Sequence, residues 1–398
     1  MPLNNRQSRV DIRRSIAALI ALVLFVLPTL SAHQYSFEEV ASGLKDKDVS
    51  TRLRAIQILK DADYAEAADP IAAVLTDADD RVQLAAIDAE RALFTNRVVP
   101  RRRKVGLIIE VRTVAGGDAA AAGQLGLKPR TVPSHLLTNI AVALRDDNPR
   151  VRAEAVNLAS LLGPVSCARL DRLKPETTAC ADIGNALIDN INSREAPVRR
   201  AAMQVLGQLR YQNAVQALLD QYSYRQRGPD AMAALEGLAG IGHPTSVSVF
   251  EDLLTNANVD MRRFAVEGLA RIGNPDVLPA LQQLGQTERS TSVLLALHYA
   301  NVKLGGTDGS LQQIVASLGD ESQRLLVLRY LLDLSPTVAP LLAESLLKDE
   351  STDIRRLIAD VLGFSRNDAV FPALAAAATD ADPDVAAAAV QALERLKL

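Results

Sequence analysis

Small and apolar residues recur along this chain at a helical spacing, and the pattern as a whole then repeats. With Val151 as reference, equivalent positions fall at Thr51, Val82, Val198, Asp230, Met261, Ser292, Gln323, Ile354 and Val385, the last six each 31 residues apart. Four residues after each reference stand Ala55, Ala86, Ala155, Ala202, Ala234, Ala265, Ala296, Val327, Ile358 and Ala389, and eight after it Leu59, Leu206, Leu238, Leu269, Leu331, Leu362 and Leu393 recur. Offsets 0, 4 and 8 form one stripe of an α-helix, and alanine within the stripe predicts a closely packed neighbouring helix. Offset 6 is polar in every copy, at Gln57, Asp88, Asn157, Gln204, Glu236, Glu267, His298, Arg329, Asp360 and Gln391, and is predicted to face water or a partner.

Turn chemistry fixes where each helix starts. Five residues before the reference stand Asp46, Asp77, Asp146, Ser193, Asn256, Thr287, Asp349 and Asp380, side chains that satisfy free amides at turns and helix N-termini. A second helix per copy is legible between these turns, as in 214–222, 247–256, 277–284, 311–318, 339–347 and 370–379. Gly242 and Gly273 stop one helix, and Pro244 and Pro275 open the next. Each copy is therefore predicted to be a helical hairpin. One residue after the reference, Arg52, Arg152, Arg199, Arg262, Arg324 and Arg355 are predicted to pair with the acidic turns as a structural ladder rather than to bind an anionic ligand.

Two stretches interrupt the period. Residues 97–133 add a segment that holds the basic run Arg101, Arg102, Arg103 and Lys104 and then the β-branched 105–114; both an insertion and a degenerate repeat fit it. Residues 164–180 read as an extended loop that carries the chain's two cysteines, Cys167 and Cys180. In an oxidising compartment such a close pair is expected to form a disulfide that staples the loop.

The D-x-x-x-x-V-R-x-x-A-x-x-x-L-G pattern resembles HEAT repeats, in particular the short bacterial kind named after phycobilisome lyases, over about residues 40–398. The resemblance implies an all-α fold, a right-handed α-solenoid (superhelix) of ten to eleven hairpins with the reference helix on its concave side. Array segments are then 36–96 and 134–398, flanking 97–133.

Composition agrees with packed helices: Trp is absent, aromatics make up 4% and the net charge is −3. A mildly acidic chain has no general electrostatic reason to bind nucleic acid. Residues 1–32 differ, with Arg6, Arg9, Arg13 and Arg14 ahead of the uncharged 16–30, the pattern of a secretory signal peptide. Cleavage is expected after Ala32, although Leu30 fits a small-x-small site poorly; left uncleaved, the stretch would anchor the chain to a membrane. Either outcome puts the array in the periplasm or cell envelope.

No catalytic, metal or cofactor constellation is found. Deoxyhypusine hydroxylases, which have similar repeats, hold two irons with His-Glu pairs, whereas here His33, His135, His243 and His298 precede Gln34, Leu136, Pro244 and Tyr299. The likeness to bilin lyases extends only to the scaffold. The reading is an exported, monomeric, non-catalytic scaffold that binds a protein or peptide through its concave face; the competing reading is an enzyme or maturation factor that acts on a protein substrate. Offsets 2 and 6 of the uninterrupted copies supply the candidate face: Arg200, Gln204, Met232, Glu236, Arg263, Glu267, Leu294, His298, Leu325, Arg329, Arg356 and Asp360. On this reading Arg263 and Arg329 lie outside both packing stripe and ladder, so both can be changed without unfolding the array.

Overall fold

A computed structural model of the chain describes residues 36–96, 101–105, 108–112, 123–173, 178–306 and 309–397. The signal segment 1–32 lies outside them, as do 97–100, 106–107 and 113–122 of the predicted insertion.

The ten reference positions mark ten stacked units of an all-α array. Their inner helices are α2 (Val49–Ala62), α4 (Asp80–Phe94), α6 (Pro149–Leu173), α8 (Ala196–Gln208), α10 (Pro229–Ile241), α12 (Val259–Ile272), α14 (Thr291–Lys303), α16 (Arg324–Lys348), α17 (Thr352–Leu362) and α19 (Pro383–Lys397). The shorter outer helices are α1 (Phe37–Gly43), α3 (Ala68–Ala72), α5 (Ser134–Ala143), α7 (Thr178–Asn190), α9 (Val215–Arg225), α11 (Val247–Leu253), α13 (Leu278–Thr287), α15 (Ser310–Ala316) and α18 (Phe371–Ala377). Offset 4 is buried in every unit. Gly242 and Gly273 end α10 and α12 at φ of 66° and 78°, the left-handed geometry that closes a helix.

The arginine ladder is present and runs along the turns. At Arg52, Arg152, Arg199, Arg262 and Arg355 the guanidinium donates back to a carbonyl of its own turn and reaches a carboxylate of the next unit, whereas Arg324 bonds the turn carbonyl Leu318 O. Arg52 bonds Asp46 O and Asp77, Arg199 bonds Ser193 O and Asp230, Arg262 bonds Asn256 O and both oxygens of Glu288, and Arg355 bonds Asp349 O and both oxygens of Asp380. The Arg262 hydrogen bond holds the Glu288 carboxyl down at about 2. The acidic turn residues do a different job from capping: Asp46, Asp77, Asp146, Asn256, Asp349 and Asp380 each accept the amide two residues on, and the next polar residue, such as Asp48, Asn258 or Ser351, caps the helix.

Across residues 97–133 the ladder does not stop. Gln83, which replaces the arginine of unit 2, donates to Asp146 of unit 3 at 2.9 Å, and Arg91 pairs with Glu154 at 2.9 Å. Unit 2 thus stacks directly on unit 3, and the intervening chain is an excursion rather than a repeat. It contains an antiparallel hairpin, β1 (Arg101–Val105) and β2 (Ile108–Arg112). The return is pinned to the array by a Thr95–Leu127 bridge and by Lys128 and Arg130 on Asp63, at 2.7 and 3.1 Å.

Two predicted breaks are helical instead. Residues 164–173, read as loop, continue α6 through Pro164, and a disulfide joins Cys167 on that extension to Cys180 in the first turn of α7, with 5.7 Å between Cα atoms. Proline removes one donor and strains one turn, a local cost that packing can outweigh. Similarly, unit 8 is not a separate hairpin, because α16 runs through Pro336 and Pro340 into the outer helix of unit 9. The buried Ser335 hydroxyl donates to Leu332 O at 3.0 Å, the carbonyl that the Pro336 nitrogen leaves free.

Glycines set the spacing of α8 and α10. A Cβ on Gly207 would lie 2.8 Å from Gly237 Cα, one on Gly237 2.5 Å from Met203 O, and one on Gly240 2.7 Å from Gly207 O. The second halves of these helices therefore touch backbone to backbone.

Glu90 occupies the leucine position of unit 2, fully buried, and among the described residues neither carboxylate oxygen has a hydrogen-bond partner. Burial, with a smaller contribution from the Asp69 carboxylate, raises its pKa well above the usual range, so the fold favours its neutral form. An unfolded glutamate ionises near about 4.3. The folded state is thus fully favoured below that pH and loses stability as pH rises toward the raised value. Glu90→Leu is expected to add about 1–3 kcal/mol at neutral pH and to flatten this decline. Urea unfolding of both proteins from acid to neutral pH checks this, and parallel pH profiles would refute it.

Candidate binding face on the inner helices

The ends of α8, α12 and α14 converge on one carboxylate in the middle of α16. Asp333 of α16 accepts Arg271 and Lys303 at 3.0 Å each, Arg210 from just beyond α8, and the Tyr299 hydroxyl. Arg210 lies four units before Asp333 in the stack. Only helices on the inside of a tightly curved array can meet over that separation, so the reference helices line the concave side. Burial alone would raise the Asp333 pKa, but Arg271, Arg210 and Lys303 outweigh it and hold the carboxyl far below the usual range. Beside it Glu267 accepts Arg263 and the Tyr330 hydroxyl at 2.7 Å each, and Tyr299 and Tyr330 stack with ring centres 4.5 Å apart. Burial opposes the Glu267 charge too, and Arg271 and Arg263 overcome it.

Where the second halves of the helices close together, the first halves diverge. Between the first turns of α8, α10 and α12 lies a cleft of about 440 Å³ lined by Pro197, Arg200, Gln204, Pro229, Met232, Glu236, Arg263 and Phe264, among others. Glu236 stands at its side, with one oxygen on Gln204 at 2.7 Å and the other on Arg329, three units away, at 3.3 Å.

The family model for HEAT repeats matches residues 229–299 and 310–398, and that for the PBS lyase HEAT-like repeat matches 198–221. The chain is a HEAT-repeat protein. Solved structures similar to it include an engineered protein, at 16% identity over 91% of this chain and 99% of that one, TM-score 0.41. The complex of CpcE and CpcF of phycocyanin lyase from Nostoc sp. PCC7120 matches at 17% identity over 65% and 94%, TM-score 0.40. Human deoxyhypusine hydroxylase in complex with glycerol matches at 19% over 66% and 96%, TM-score 0.30. No curated protein sequence matches the chain. Among the described residues, no group of three His, Cys, Asp or Glu side chains is arranged to hold a metal ion.

The HEAT array brings some of the predicted face together, buries Glu267 and leaves others outside the cleft. Arg200, Gln204, Met232, Glu236 and Arg263 share the cleft. Glu267, predicted to face a partner, is instead buried in the ionic cluster. Arg263 is not free to change either: it is held by Glu267 and by Asp260 at 3.2 Å, and its guanidinium covers the Phe264 ring. A glutamate there would face Glu267 across a buried contact, so Arg263→Glu would destabilise the array, contrary to the expectation from offsets alone. Arg329 is well exposed. His298 bonds Ser310 at 3.1 Å, and Leu325 is half exposed on α16; Leu294, in α14, is partly covered. Arg356 and Asp360 belong to a separate cluster, in which Asp360 meets Arg356 and Arg395 at 3.5 Å each and Arg395 donates to Leu127 O at 2.8 Å. The last helix is thereby tied to the returning end of the excursion.

Sequence reasoning missed Asp333, Arg271, Lys303 and Arg210. Arg271, Asp333 and Arg395 all fall at offset 10, one turn beyond the polar offset 6, and that recurrence was the available signal.

Asp333→Asn leaves three cations around a neutral group in a buried site, and is expected to cost about 3–5 kcal/mol. Arg329→Ala, on an exposed pair, is expected to cost about 1 kcal/mol or less. Thermal and urea unfolding monitored by circular dichroism measures both, and equal effects would overturn the assignment of Asp333 as the hub.

Proposed function

We propose that this HEAT-repeat protein is a non-catalytic scaffold and that the cleft across α8, α10 and α12 holds an extended segment of a protein partner. The observation that carries this reading is the cleft itself, formed by the same positions of three successive units on the concave side. Its walls mix Met232, Pro197, Pro229 and Phe264 with Arg200, Gln204 and Glu236, the combination of apolar anchors and orienting polar groups that suits a polypeptide. A nucleic acid would call for a more uniform run of cations. Stacked repeats generally present such extended concave surfaces to other proteins.

A photo-crosslinking residue at Met232 is expected to capture a discrete partner from envelope extracts, and Arg200→Glu in the same protein is expected to suppress that product. A crosslinker at exposed Leu341 on the second half of α16 serves as control. The same products from both positions, or no effect of Arg200→Glu, would rule the cleft out.

We further propose that the protein is exported and works in the periplasm or cell envelope as a monomer. A C-terminal reporter active only outside the cytoplasm should give signal, with the mature N-terminus near His33; full-length chain recovered from the cytosol would contradict export.

A further inference from the structure

The charged side chains that line the cleft across α8, α10 and α12 are matched within the fold, with one exception. Glu236 is taken by Gln204 and Arg329, and Arg263 holds Asp260 at 3.2 Å and the buried Glu267 at 2.7 Å. Arg200 lines the same cleft, partly covered, and among the described residues no carboxylate lies within ion-pairing distance of it. A cation placed there without a counter-charge suits an acid that arrives with the ligand.

A second group stands ready one turn further along α8. Gln204 donates its side-chain amide to Glu236 at 2.7 Å, which fixes the amide and leaves its carbonyl oxygen as an acceptor with no donor among the described residues. The apolar share comes from the next two units. Met232 holds in α10 the position that Arg200 holds in α8, and Phe264 of α12 lines the same cleft beside it.

The step from one helix to the next sets the register of a bound chain. Packed neighbouring helices lie about 8–10 Å apart. A chain in polyproline II geometry advances about 3.1 Å per residue with three residues per turn, so every third side chain returns to one face after about 9 Å. Side chains three residues apart can therefore meet Arg200 and Met232 together.

On the reading that the cleft holds a polypeptide, we infer that it selects an extended segment in which an aspartate or glutamate side chain, bound by Arg200, stands three residues from a large apolar side chain seated against Met232. Gln204 Oε1 accepts a main-chain N–H of that segment. The inner face continues past α8 to α6 and past α12 to α14, so the segment runs on at both ends. The carboxylate is accordingly a side chain's rather than a chain terminus.

The test is selection by the purified chain from a library of octapeptides with acetylated and amidated ends, run beside a matching library with free C-termini. Bound sequences from the blocked library are expected to be enriched in Asp or Glu three positions from Leu, Ile, Met or Phe. Replacing the selected acid by its amide should weaken binding about tenfold or more, the loss expected of a charge-assisted hydrogen bond. Arg200→Glu should replace the acidic preference with one for Lys or Arg, Arg200→Lys should keep it, and Met232→Ser should remove the apolar preference alone. Circular dichroism of these variants should match the parent, because Arg200 and Met232 lie outside the packing stripe. An enrichment without an acid, an acidic preference that survives Arg200→Glu, or binding confined to free C-termini overturns the inference and leaves the cleft itself to be judged by the crosslink at Met232. Absence of any enrichment overturns it as well.

Discussion

Close approach of the inner helices is the constraint from which the rest of this structure follows. Alanine at offset 4 lets successive inner helices pack tightly, and Gly207, Gly237 and Gly240 bring α8 and α10 into backbone contact along their second halves. Tight spacing on one side of a stack bends the stack toward that side. The bend is strong enough that side chains two, three and four units apart meet, as Tyr330 with Glu267, Arg329 with Glu236 and Arg210 with Asp333 do. Buried carboxylates are tolerated there because each is surrounded by cations and a tyrosine hydroxyl; either alone would be expelled or protonated.

Two polar systems therefore divide the labour. The ladder at the turns joins neighbouring units through arginines such as Arg262, which satisfies its own loop and a neighbour's acid. The Asp333 and Glu267 cluster joins units that are not neighbours. Between them, where the first halves of α8, α10 and α12 splay apart, side chains are left with room around them, and that is where the cleft lies.

The sequence made the repeat, its register, the stripe and the ladder legible because each rests on local spacing, and a period of 31 repeats that evidence several times over. What it concealed depends on curvature. Offset 6 was polar in every copy, yet whether a given residue faces water or a buried counter-ion depends on how far the neighbouring units lean in: Glu267 is enclosed, while Arg329 at the same offset is exposed. The helical runs through Pro164 and Pro336 were concealed for a different reason. Proline favours a break locally, but a hydroxyl such as that of Ser335 can occupy the freed carbonyl and the surrounding packing holds the helix on course. The excursion was legible as a departure from period, and its nature became clear only from Gln83 standing in for an arginine across it.

Linear repeat arrays are commonly described by a nearest-neighbour energy, in which each unit has its own stability and couples only to the units beside it. A carboxylate that gathers cations from units 4, 6 and 7 onto unit 8 breaks that description. The central half of this molecule has contacts that close loops of up to 123 residues, so it acquires the all-or-none character of a globular domain, with the slower folding that large loop closures bring. The N-terminal layers are drawn in as well, because Arg395 of the last helix holds Leu127 O, next to the Lys128 and Arg130 that grip Asp63 of unit 1. One continuous stack is thus closed between its two ends as well as across its middle, and its terminal layers are not free to be gained or lost one at a time.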